Sequence, residues 1–179
     1  MTSIQNRVQR LRDLIAQKGL EAAILYSREN TRYFTGFTGT ESTAVVTPEH
    51  CFILVDSRYT SQAAEQCVGY TVVDSTLQGL VSLSDVLREQ KVKTAGVEDE
   101  AVPLSVYRRY EVNSPDIRFA PLESALGGLR SQKDAEEIEC IEQAVRIADE
   151  AFERILPLIR PGVTEQTMAF ELETAMRRL

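Results

Sequence analysis

The densest chemistry in this 179-residue sequence is Asp56-Ser57-Arg58-Tyr59, directly after the apolar run Cys51 to Val55. In an α/β sheet, polar groups just past a strand's carboxyl end line a binding crevice, which would put Asp56, Arg58 and Tyr59 against a ligand. The same residues also suit a helix start, with Asp56 as N-cap and Arg58 and Tyr59 in the first turn. The two readings are compatible. Gly36-Phe37-Thr38-Gly39 has the look of a phosphate cradle but lacks the Gly-Lys-Ser/Thr ending of a P-loop, and no G-x-G-x-x-G occurs. It reads as a tight turn with glycines at positive φ.

Nucleophilic and His-based metal chemistry find little material. His50 is the lone histidine and sits beside Pro48 and Glu49, which is turn composition. Its neighbour Cys51 opens a strand, where successive side chains point to opposite faces, so a Cys-His pair is sterically poor. Cys51, Cys67 and Cys140 form no Cys-x-x-Cys spacing and read as small buried hydrophobes. Acidic residues are dense from 134 to 153, but they occupy the side of a helix away from its apolar stripe and read as a solvated face. No Ser/His/Asp set and no His/Glu cluster exists in the sequence, so it displays no catalytic machinery.

The elements that must carry these residues follow from periodicity. Ile4, Val8, Leu11 and Ile15 mark a helix over 4–18, with Ser3 as its cap and Gly19 as its stop. Strands are expected at 20–26, 43–47, 51–55, 70–74, 94–98 and 117–121, and the second and third join through Pro48-Glu49-His50 as a hairpin. Their residues are apolar in succession, so both faces of the sheet need covering. Helices at 57–67, 80–88 and 103–111 supply the cover, while 28–35 is a short helix or turn. The result is a three-layer α/β domain with a mixed sheet of about six strands and helices on both faces.

After Leu122 the texture changes. Ile138, Ile141, Val145, Ala148, Phe152, Ile155 and Ile159 trace a long helix, which Pro157 kinks or ends. Ser131 to Asp134 resembles a capping box, Gly127-Gly128 a linker, and Thr164 caps a second helix carrying Met168, Leu172 and Met176. That helix runs into Leu179 with its apolar stripe uncovered. The reading is one domain over 1–125, then a linker and the first helices of a severed second domain over 126–179. Two helices folded back on the first domain are the alternative.

The balance of 27 acidic to 20 basic residues gives a net charge of −7, against what a nucleic-acid binder needs. No apolar run is long enough for a membrane span and no signal peptide opens the chain, so a soluble, cytoplasmic protein is expected.

Four segments in order resemble the creatinase, prolidase and Xaa-Pro aminopeptidase family. They are Asn30-Thr-Arg-Tyr33-Phe34-Thr35-Gly36-Phe37, Asp56-Ser-Arg58-Tyr59-Thr-Ser-Gln62-Ala63, Arg130-Ser-Gln-Lys133-Asp-Ala-Glu136-Glu137-Ile138, and Pro161-Gly162-Val-Thr164-Glu165. The resemblance implies a ribonuclease H-like N-terminal domain followed by the start of a "pita-bread" metallopeptidase domain. It also implies two divalent ions, manganese, cobalt or zinc, on ligands beyond this chain, which itself holds no cofactor. In such a protein the N-terminal domain builds a homodimer and helps shape the pocket for a proline-containing peptide. Asn30, Arg32, Tyr33, Phe37 and Glu41, backed by Asp56, Arg58 and Tyr59, would then contact substrate. A carboxylate would suit a free amino terminus and an aromatic face an apolar side chain or proline ring. For Tyr33, Phe34 and Phe37, core packing is the competing reading. A non-enzymatic binding or dimerisation module of the same fold, or a creatinase-like amidinohydrolase, would carry the same signature.

Overall fold

The structure, a computed structural model, describes residues 3–75, 79–122 and 124–179. The chain divides into two compact units, Met1–Gln132 and Lys133–Leu179. The first runs α1 (Ser3–Gln17), β1 (Ala22–Leu25), α2 (Arg28–Thr35), β2 (Thr43–Val46), β3 (Cys51–Val55), α3 (Thr60–Gln66), β4 (Thr71–Asp74), α4 (Gly79–Glu89), β5 (Thr94–Val97), α5 (Leu104–Asn113), β6 (Arg118–Pro121) and α6 (Ala125–Ser131).

Six strands make one mixed sheet in the order β4-β3-β2-β1-β5-β6. Only β2 runs against the others, pairing antiparallel with β1 and β3, while β3 with β4, β1 with β5, and β5 with β6 are parallel. The carboxyl ends of five strands therefore share one pole. The succession of apolar residues in β1 and β3 is explained by burial of every residue in both. Ala22, Ile24, Val45, Phe52, Ala95 and Val97 meet Leu83, Val86, Leu87 and Tyr110 from α4 and α5. Ala23, Leu25, Ala44 and Val46 meet Leu11 and Ile15 from α1, Phe34 from α2 and Leu126 from α6.

Several local expectations shift. Ser3 is the first residue of α1, inside the helix. α3 starts at Thr60 with Tyr59 at the N-cap and no capping side chain. The backbone N–H of Arg58 instead donates to Asp56 Oδ1 at 2.9 Å, and that of Tyr59 to the Asp56 carbonyl at 3.0 Å, so Asp56 organises a turn ahead of the helix. Gly127 and Gly128 lie within α6. Two glycines oppose a helix by about 1 kcal/mol each relative to alanine. Tertiary contacts hold it: Leu126 is buried, and the Leu129 carbonyl accepts from Tyr33 Oη at 3.2 Å and Arg10 Nη2 at 3.0 Å.

α1 and α4 end in the same backbone motif. Gly19 donates to Ala16 O and Leu20 to Ile15 O; Lys91 donates to Arg88 O and Val92 to Leu87 O. This ending needs a left-handed residue, normally glycine. Gly19 supplies it at φ +65°, but at the end of α4 the position is filled by Lys91 at φ +56°. A side chain there costs about 1 kcal/mol or more.

The second unit consists of α7 (Ala135–Ile155), a 3-10 turn at Leu156–Leu158 containing Pro157, and α8 (Glu165–Arg178), which packs on α7. The capping box sits three residues later than expected: Asp134 Oδ1 accepts from Glu137 N at 2.9 Å, and Glu137 Oε2 from Asp134 N at 3.0 Å. Ser131 closes α6 instead. Thr164 caps α8 as expected, accepting from Thr167 N. Ile138, Ile141, Val145 and Phe152 are each about half exposed along α7. Among the described residues, no helix is long and apolar enough to cross a membrane.

Candidate functional site

The eight residues singled out by sequence fall into two groups. The first lies on α2, where Asn30 and Tyr33 face inward and Arg32 is exposed. Ser27 caps this helix by accepting from Asn30 N at 3.2 Å, and the buried Glu98 after β5 accepts from Ser27 N at 2.8 Å. Asn30 is 8% exposed, and its Oδ1 accepts from Arg130 Nη1 at 2.6 Å. Tyr33 is 9% exposed, donates its hydroxyl to Leu129 O, packs edge-on against Phe34, and lies under the Arg7 guanidinium. Asn30 and Tyr33 thus tie α2 to α6, and the core-packing reading describes Tyr33 and Phe34. Arg32 lies on the exposed side of α2.

The second group gathers at the carboxyl pole of β3. Asp56 follows the last residue of that strand and grips Arg58: Nη2 donates to Oδ2 at 2.6 Å and Nε to both carboxylate oxygens at 3.1 Å. Arg58 Nη2 also reaches Glu41 Oε2 at 3.4 Å, from the loop between α2 and β2. Tyr59 shares a 2.8 Å hydrogen bond with Thr40 and packs edge-on against Phe37 at 5.6 Å between ring centroids. Phe37 itself is 1% exposed and belongs to the core under β3, with Ile53, Val55, Ala63 and Cys67. It is a pillar under the group, and the solvent-facing members are Glu41, Arg58 and part of Tyr59.

Loop geometry depends on both glycines, for different reasons. Gly36 ends α2 at φ +80°, as a tight turn requires. Gly39 needs no positive φ; a Cβ there would come within 2.3 Å of Phe37 Cζ, so its requirement is space. The loop is also pinned by Thr38, whose N–H donates to Gln66 Oε1 at 3.0 Å and whose hydroxyl accepts from Gln62 Nε2 at 2.9 Å. Gln62 was within reach of sequence, as part of the Asp56-to-Ala63 segment. Thr38 and Thr40 entered the sequence reading only as parts of the glycine-rich loop that leads to Glu41, and Gln66 carried no signal.

Electrostatically the Arg58 side-chain hydrogen bonds hold the Asp56 carboxyl below the ordinary aspartate range, helped by the Arg58 backbone N–H. A carboxylate with a lowered value stabilises the folded cluster above the unfolded-state range, and that contribution is lost as pH falls through the lowered value. A carboxyl-carbon NMR titration should therefore place Asp56 below a free aspartate, and Arg58→Ala should return it upward; an unmoved Asp56 in that variant would show that Arg58 is not the cause. Burial pushes the Cys51 and Cys67 thiols up, which keeps them protonated and unreactive. Among the described residues, no group of three or more His, Cys, Asp or Glu side chains is placed to hold a metal ion. The surface group offers a carboxylate rim, a paired guanidinium and a phenol: contacts for positioning a polar ligand.

The sequence pattern described as Creatinase/Prolidase N-terminal domain matches residues 7–132. The uncharacterized peptidase YqhT of Bacillus subtilis (strain 168) is 33% identical over 171 residues, which span 96% of this chain and 48% of that protein. An Xaa-Pro dipeptidase from Bacillus anthracis superposes with a TM-score of 0.92 at 31% identity, over 98% of this chain and 49% of its own. An X-Pro aminopeptidase from Thermotoga maritima MSB8 superposes at 0.85 with 32% identity, over 96% and 49%. The chain thus spans about half the length of these relatives.

Proposed function

Since the chain belongs to the creatinase/prolidase N-terminal domain family, we propose that it is the non-catalytic N-terminal domain of a metal-dependent Xaa-Pro peptidase. The observation that carries this reading is likeness along nearly the whole chain, at more than 30% identity, to a dipeptidase and an aminopeptidase that both act on Xaa-Pro substrates by name. The described residues do not fit a metal pair. The reading therefore assigns two divalent ions, manganese, cobalt or zinc, to the half that the relatives have in addition. When bound, such a pair supplies a hydroxide near neutral pH.

This chain's own residues hold and orient. Glu41 offers a carboxylate to the substrate's amino end, Tyr59 an aromatic face, and Asp56 keeps Arg58 in place between them. The domain works in a cytoplasmic homodimer and presents this rim to a proline-containing peptide.

Two measurements test the reading. The 179-residue chain with manganese and an Xaa-Pro dipeptide should give no turnover; sustained hydrolysis would overturn it. In the longer protein, Glu41→Gln and Arg58→Ala should raise KM about tenfold, or ~1.4 kcal/mol, with kcat nearly unchanged. An unchanged KM would remove the rim from the substrate path. A reading frame past Leu179 without the two Asp, one His and two Glu of a dimetal site would favour a binding module.

A further inference from the structure

At the opposite pole from this rim, a hollow of about 110 Å³ lies where α4 and α5 end and β5 and β6 begin. Ser84 and Ser114 line it, each 5% exposed and joined by a 2.8 Å hydrogen bond in which Ser114 donates. Arg88, Lys91 and Lys93 also line it, with Asp116 as the one carboxylate among the lining residues. Asp85 pairs with Arg88 Nη1 from outside that lining, so the lining holds two further cations, Lys91 and Lys93, against the single carboxylate of Asp116.

The position of Lys91 is the informative part. Among the described residues it is the single non-glycine with positive φ, and it occupies the site that glycine fills at the matching end of α1. Cations near a helix C-terminus offset its dipole, but Arg88 already does so from within the last turn of α4. That need does not call for a lysine in a left-handed conformation. Residues held in such conformations cluster where they serve a ligand.

We propose that this hollow binds a phosphate-sized oxyanion, either a free ion or the terminal phosphoryl group of a small molecule. Lys91 and Lys93, both part of the lining, supply the charge. The Ser84–Ser114 pair forms a polar floor able to meet a ligand hydroxyl. The volume suits one such group. This site is independent of the peptidase reading.

The test is thermal unfolding of the 179-residue chain at constant ionic strength, with inorganic phosphate, methyl phosphate or chloride. Phosphate should raise the Tm above the chloride value, as mass action on a folded-state site requires. Lys91→Gly should raise the Tm in chloride by about 2–4 °C, through relief of the strained turn, and should abolish most of the phosphate increment. Lys93→Gln should reduce the increment without the gain in chloride. A response to inorganic phosphate alone assigns the free ion, whereas a response to methyl phosphate as well assigns a phosphoryl group. Equal Tm values in phosphate and chloride, or a Lys91→Gly chain that keeps the full increment, would overturn the proposal.

Discussion

Phe37→Ala should destabilise the first unit by about 3–5 kcal/mol, the range for removing a fully buried aromatic ring. The ring is enclosed by Ile53, Val55, Ala63 and Cys67, and it holds Tyr59 edge-on. Its loss opens a cavity under β3 where neighbouring side chains on a packed sheet can relax only in part. It also removes the support beneath Tyr59 and the loop that carries Glu41, so the surface group should loosen along with the core. Urea unfolding followed by circular dichroism measures the first effect, and Tyr59 and Thr40 amide exchange the second. Phe37→Leu should recover most of the loss, because a large apolar side chain still fills the space. A penalty under ~1 kcal/mol would return Phe37 to the role of a ligand-facing aromatic.

Gly96→Ala is the second large effect, and it has the opposite origin. Gly96 lies in β5 between β1 and β6, and a Cβ there would come within 2.5 Å of Leu122 Cδ2 and 2.9 Å of Leu20 Cδ1. Leu122 is 0% and Leu20 6% exposed, so neither side chain has room to yield. Overpacking of this kind costs about 1–3 kcal/mol. Leu122→Ala alone should cost about 2–5 kcal/mol by emptying the same space. Combined, the two should fall short of their sum by ~0.5–3 kcal/mol, since the second change accommodates the first. Strict additivity in a double-mutant cycle would show that the contact is not the reason for glycine at this position.

How far the architecture could be read in advance depended on the range of the interactions. β1 and β3 are apolar residue after residue because every one of their side chains is buried, so composition alone marks them as central strands. α6 was hidden because Gly127-Gly128 argues against a helix; what enforces it is Tyr33 and Arg10, 96 and 119 residues distant from Leu129. The same long range concealed the work of Asn30, whose partner Arg130 lies 100 residues on. The surface group was more legible. Asp56, Arg58 and Tyr59 are adjacent in sequence and follow a recognisable strand, so their gathering at its end needed no tertiary information beyond the sheet. Lys91 left no trace, because lysine's ordinary preference is for helical φ and only the backbone reveals that it departs from it.

The short outer strands bear on how the proposed homodimer can form. β4 and β6 are four residues each, and the outermost positions of both, Thr71 and Asp74 on one edge and Arg118 and Pro121 on the other, are exposed. A charged side chain on each edge, and a proline that cannot donate on β6, discourage annexation of a neighbour's backbone. Two copies therefore cannot fuse their sheets into one continuous ribbon at low cost. Their meeting surface has to be sought among helix flanks and loops, where a contact can be made and undone without competing for the ladder that holds each sheet together.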